Sequence, residues 1–154
     1  MTHSIRTCLW FDGVAHEAAE FYVSLLPNSS IDGMHRASPD QPPFLVEFSL
    51  GGVPYQAMNG GPQFKLSEAT SISVTVEDQA EVDRLWEALV ADGGEASRAG
   101  WCKDRFGLSW QVLPEALSRL FADPDREAAG RAMQAMMGME KIEVAKLESA
   151  FRGE

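Results

Sequence analysis

Basic residues are scarce in this chain. Its 154 residues hold 13 Lys and Arg against 23 Asp and Glu, a formal net charge of −10. A surface of that sign repels phosphate backbones and anionic lipid headgroups, so neither nucleic acid nor membrane is expected as a partner. Cysteine is scarcer still. Cys8 and Cys102 stand far apart, which provides no disulfide framework and points to a reducing, cytoplasmic setting. No apolar run reaches the roughly 18 residues of a membrane helix. The polar opening Met1 to Arg6 lacks the apolar core of a signal peptide. The glycine pairs Gly51-Gly52, Gly60-Gly61 and Gly93-Gly94 never take G-x-G spacing between a strand and a helix, and there is no P-loop. Rossmann-type and P-loop nucleotide binding are thereby excluded.

What is present is one pattern stated twice. The first half offers a strand at Ile5 to Phe11 and a helix at Val14 to Leu26. The second half offers a strand at Ser71 to Glu77 and a helix at Gln79 to Ala91. Val14, Ala18, Phe21, Tyr22 and Leu25 form one apolar stripe, and Val82, Leu85, Trp86, Leu89 and Val90 form its counterpart. Asp78 followed by Glu81 reads as a capping box, and Gly93-Gly94 as a left-handed stop. Three strand candidates follow each helix. They are Ser30 to Ala37, Phe44 to Leu50 and Val53 to Asn59, then Glu95 to Ala99, Trp101 to Arg105 and Leu108 to Leu113. Gly51-Gly52 reads as a two-residue hairpin turn. The expected fold is α+β, with two βαβββ modules at 3–60 and 69–114 inside one domain of 1–154. A helical arm at 115–152 completes it. A short helix at Glu115 to Phe121 precedes a start signal at Asp123-Pro124, and a tail helix follows with a weak point at Gly138. The tail carries Met133, Met136, Met137, Met139, Ile142, Leu147 and Phe151, a face that must pack on its own core, on a second subunit or over a ligand.

Several segments resemble the PhnB-like family, often labelled 3-demethylubiquinone-9 3-methyltransferase, of the vicinal oxygen chelate (glyoxalase/bleomycin-resistance) superfamily. They are Cys8-Leu-Trp-Phe-Asp-Gly, Ala18-Ala-Glu-Phe-Tyr22, Leu26-Pro-Asn-Ser29, Asn59-Gly-Gly-Pro62, Val82-Asp-Arg-Leu-Trp86 and the run from Gly100 to Pro114. The tail pieces Arg131 to Met136 and Lys141-Ile142 are similar as well. The duplicated βαβββ unit is expected to build a cupped sheet with a ligand site inside it, and the cost of exposing the tail's methionine and isoleucine face leads to the expectation of a homodimer.

The resemblance also says where a metal would sit, on the first and last strands of each module. Those positions fall on Ser71 and Gln111 in the second module, and on Ile5 or Thr7 with Gln56 or Met58 in the first. Neutral donors of this kind do not make a tight divalent site. His3, His16 and His35 are each without a converging donor set, and Glu47 cannot be assigned to a face by alternation alone. No metal and no cofactor are therefore expected, and catalytic residues stay unassigned. Ser71, Ser73 and Thr75 alternate with Ile72, Val74 and Val76, so the hydroxyls share one face. That face either orients a small polar ligand or is simply solvated. The cluster Trp101-Cys102-Lys103-Asp104-Arg105 offers a thiolate and an acid or base on one reading, and an ordinary hairpin on the other. The expected ligand contacts are Ser71, Ser73, Gln111, Gln56, Trp101 and Cys102. The expected function is binding of an unknown small molecule. A superfamily enzyme of the lyase, isomerase or dioxygenase type, or the methyltransferase of the family label, is the alternative.

Overall fold

A computed structural model describes residues 2–154. The chain forms two compact units, one ending at Leu66 and the other spanning Ser67–Glu154. The first unit contains β1 (Thr7–Phe11), α1 (Ala15–Leu25), β2 (Ser30–His35), β3 (Leu45–Leu50) and β4 (Val53–Asn59). Its sheet runs β1-β4-β3-β2, with β1 parallel to β4 and the other pairs antiparallel. The second unit contains β5 (Ser71–Val76), α2 (Gln79–Val90), β6 (Glu95–Ala96), β7 (Trp101–Lys103) and β8 (Ser109–Pro114). Its sheet runs β5-β8-β7-β6 with the same pattern of parallel and antiparallel pairs. The duplicated βαβββ pattern is therefore real. The arm follows as α3 (Glu115–Phe121), α4 (Arg126–Met137) and α5 (Val144–Arg152).

Period-two burial makes each sheet one-sided. In β3, Val46, Phe48 and Leu50 are buried, and α1 covers them with Ala18, Tyr22 and Leu25. The β3–β4 hairpin turns at Gly51 and Gly52 with φ of +56° and +83°, the positive pair such a tight turn requires. Val14 precedes α1 and has no side chain able to cap it. Asn59 at the end of β4 does this instead, its Oδ1 accepting from the Ala15 N–H at 2.9 Å while its Nδ2 donates to the Pro43 carbonyl at 2.9 Å. Gly60 then passes so close to Trp10 that a Cβ there would lie 2.3 Å from the indole. Trp10 Nε1 donates to the Gly61 carbonyl at 2.9 Å. The Asn59-Gly-Gly run thus closes the first unit.

Asp78 caps α2 by accepting from the Glu81 N–H at 3.0 Å, but Glu81 turns to Arg84 at 2.8 Å, so only half of the capping box forms. Two expectations need correction, while the weak point at Gly138 is a true break. β6 and β7 are shorter than expected, because tight turns at 97–100 and 104–107 consume the flanking residues. Asp125, not Asp123, caps α4, accepting from the Ala128 N–H at 3.0 Å, while Asp123 folds back to accept from the Asp125 N–H at 2.9 Å. The tail is two helices, because Gly138 ends the first of them. The break lets the arm fold on itself. Met139, Ile142 and Leu147 are buried with Leu117, Leu120 and Ala132. Most of the face that could have required a second subunit is satisfied within the chain. Met133 and Met137 alone among the tail's large apolar side chains are exposed, at 45% and 57%.

Candidate ligand-binding site

The second sheet has an apolar face and a polar one, and β8 sits between β5 and β7 in both. Ile72, Val74 and Val76 pair in register with Trp110, Val112 and Pro114, and Cys102 pairs with Trp110. Trp110, Val112 and Cys102 are buried, and α2 packs on β7 and β8. The opposite face carries Ser71 beside Ser109, Ser73 beside Gln111, and Trp101 and Lys103 beyond them on β7. Ser73 is exposed, while Ser71, Gln111 and Trp101 are half-buried. The alternation read from the sequence thus has the correct register, with the hydroxyls turned away from α2. Gln111 Nε2 donates to Ser71 Oγ at 3.0 Å, which joins β5 and β8, the module's parallel pair, by their side chains.

Ser109 adds something that alternation does not show. It is 1% exposed, and its Oγ has no hydrogen-bond partner. It lines a recess of about 110 Å³ together with Trp101, Lys103, Glu68 and Glu95. Lys103 Nζ contacts Glu68 Oε1 at 2.6 Å. That hydrogen bond, backed by charge, holds the Glu68 carboxyl below its usual range. It lifts the Lys103 ammonium above its usual range, with a smaller contribution from the charge of Glu95. No sequence signal marked Glu68, because it lies in an aperiodic connection and meets Lys103 only through the fold.

The rest of the cluster around Trp101 is structural. Cys102 is 2% exposed, and burial, followed by the charge of Asp104, pushes its thiol up to about 12. Of the two readings of this cluster, the hairpin is the one that forms, and the Cys102 side chain points away from the serine face. The buried Asp104 carboxylate accepts from the N–H groups of Phe106 at 2.8 Å and Leu108 at 3.1 Å, and from Trp110 Nε1 at 2.9 Å. These are the bonds of a hairpin, not of an acid or base awaiting substrate.

Gln56 belongs to the first unit. It pairs with Cys8 and Glu47 on the face turned away from α1, whereas Thr7 lies on the other face beside Tyr55. The alternation thus puts Cys8, not Thr7, beside Gln56. His35 Nε2 stands 3.6 Å from Glu47 Oε2, so this histidine does have an acidic neighbour. Asp32 gathers Ser30, Ser49 and Arg6 at 2.8, 2.6 and 3.3 Å, and these bonds, led by that of Ser49, hold its carboxyl low. Among the described residues, no group of three or more His, Cys, Asp or Glu is placed to hold a metal ion. No helix among them is long and apolar enough to cross a membrane.

The sequence pattern of the family described as 3-demethylubiquinone-9 3-methyltransferase matches residues 3–113 and so ends just before α3. Among solved structures, the chain is similar to a PhnB protein from Bacillus cereus that carries the same methyltransferase label. Identity is 27% and the TM-score 0.67, over 73% of this chain and 99% of that one. A protein from Pseudomonas aeruginosa is 25% identical with a TM-score of 0.58, over 74% and 98% of the two chains. The fosfomycin resistance protein FosX from Mesorhizobium loti shares the fold alone, at 14% identity and a TM-score of 0.54, over 80% and 99%. No curated protein matches the sequence.

Proposed function

The chain belongs to the family described as 3-demethylubiquinone-9 3-methyltransferase, PhnB-like members of the vicinal oxygen chelate superfamily, and from that premise we propose that it is a small-molecule binding protein. The ligand sits on the polar face of the second sheet, over Ser71, Ser73 and Gln111 with Trp101 at its edge. The observation that carries this reading is the Gln111–Ser71 hydrogen bond of 3.0 Å. It fixes an amide and a hydroxyl on a face where Ser73 stays open to solvent, an arrangement that orients a polar ligand by neutral hydrogen bonds. Cys102 leaves the proposed contact set because its thiol lies under α2. Gln56 lies on the first unit's own sheet, on its face turned away from α1.

The test is a panel of small polar metabolites, S-adenosylmethionine among them, titrated against tryptophan fluorescence. Ser73→Leu is expected to abolish binding of any hit without changing the melting temperature. Undiminished binding in that variant would overturn the site. Consumption of the hit during titration would replace binding with catalysis, and tight binding of S-adenosylmethionine would favour the family label. The reading also takes the protein as a cytoplasmic homodimer and residues 1–154 as one domain. The exposed Met133 and Met137 on α4 support self-association. A single cooperative unfolding transition supports one domain, and two separate transitions speak against it.

A further inference from the structure

We propose that the recess beside Trp101 is a subsite for a protonated amine, so that the ligand is a small polar amine with its ammonium group between Ser109 and Glu95. The inference rests on the polar face of the second sheet being the binding face, and it deepens that reading by naming the ligand's chemistry.

Three observations converge on it. The first is the hydroxyl of Ser109, which is buried and without a partner in a recess of about 110 Å³. A buried polar group left unsatisfied is costly, and an entering group that hydrogen-bonds to it recovers that loss. The second is charge. Glu68, Lys103 and Glu95 all line the recess. The Lys103 ammonium is already engaged by Glu68 at 2.6 Å, while Glu95 makes no such close contact and acts on Lys103 through charge. The local balance is one negative charge, on the carboxylate that sits across the β6–β7 pair from Lys103. A hydroxyl serves a donor or an acceptor equally well, but Glu95 selects a donor bearing positive charge. The third is Trp101, which borders the same recess and is the aromatic ring best suited to a neighbouring cation.

Size limits the group. At about 30 Å³ per water, the recess has the volume of three to four waters, enough for an ammonium with one or two carbons. The remainder of the ligand must extend over the adjacent row, where Trp101 pairs with Gln111 and Gln111 with Ser73. Hydroxyl or amide groups on that remainder would meet the Gln111–Ser71 pair. An anion in the recess would face two carboxylates and would have to break the Lys103–Glu68 contact.

The probes are ethanolamine, acetate and methylphosphonate, titrated at neutral pH against the full chain and read by ¹⁵N–¹H NMR. Ethanolamine is expected to shift the Trp101 indole and Ser109 amide signals. Glu95→Gln should weaken it at least about tenfold, the loss expected for a charge-assisted hydrogen bond, and Ser109→Ala several-fold. Both substitutions leave the folded spectrum as a control. Ethanolamine shifts that are absent, or unchanged in Glu95→Gln, overturn the inference. So do acetate or methylphosphonate shifts that vanish in Lys103→Met. If the inference fails while Ser73→Leu still abolishes binding of a panel hit, the binding face stands and only the amine subsite is wrong. If Ser73→Leu leaves every hit bound, the wider reading is what has failed.

Discussion

The backbone N–H of Gly100 donates to the carbonyl of Glu140 at 2.8 Å, and its neighbour Ala99 donates to Met139 at 2.7 Å. The segment between α4 and α5 thus holds the turn that delivers Trp101 to the polar face. The turn needs that support. Ala99 has a φ of +55° and Gly100 one of +85°, and Gly100 O also accepts from the Val112 N–H at 2.8 Å. The arm lies beyond residue 113, where the family match ends, yet it positions a residue of the candidate site.

Gly100→Ala should therefore destabilise the second unit. A Cβ there would lie 3.1 Å from Ile142, Leu113 and the Val112 carbonyl, on a backbone that already disfavours side chains. Strain and crowding together predict a loss of about 1–3 kcal/mol, visible as a lower urea midpoint. An unchanged midpoint would show that the turn adapts.

Gln79 is expected to act as a staple between α2 and the arm. Its Nε2 donates to the Ile142 carbonyl at 3.0 Å, and its Oε1 accepts from the Val144 N–H at 2.7 Å. Gln79→Ala strands both groups at the start of α5, and about 1–3 kcal/mol should be lost. Hydrogen exchange should quicken first in α5. Equal protection in the variant would remove the staple.

The two cysteines should differ sharply in reactivity. Cys8 is exposed and Cys102 is buried. Iodoacetamide near pH 8 is expected to label Cys8 quickly and Cys102 only on unfolding, as read by peptide mass spectrometry. The raised thiol pKa also sets a pH dependence. The folded state keeps the Cys102 proton to about 12, whereas the unfolded chain releases it near 9.0. Between those values the folded state binds more protons, so this contribution is full below pH 9 and is lost as pH rises toward 12. Cys102→Ser should flatten that part of the stability profile.

Light scattering is expected to give about twice 16.9 kDa. Covering an exposed methionine is worth about 1.5–3 kcal/mol at full burial, so Met133→Glu with Met137→Glu should shift the protein to monomer. A wild-type mass of one chain would sink the homodimer.

Protein purified without chelator should carry no full equivalent of Zn, Ni, Mn or Fe by elemental analysis. One equivalent lost on Gln111→Ala would show that neutral donors suffice here.

Local periodicity carried much of the structure. The 3.6-residue stripes of α1 and α2, the hydroxyl alternation in β5 and the Gly51-Gly52 turn were legible because each is decided by near neighbours in the chain. The same alternation placed Ser71 and Ser73 on the face away from α2. The tertiary structure decided what depends on distant partners. Glu68 meets Lys103 only when the connection folds against β7, and Asn59 caps a helix 44 positions earlier in the chain. Cys102 was read from its neighbour Lys103, but burial under α2 sets its chemistry. The methionine tail looked like an unpaired face until the break at Gly138 let Met139, Ile142 and Leu147 turn back onto α3. Sequence spacing specifies which side of an element is apolar. Which surface covers that side is set by the three-dimensional closure of the chain.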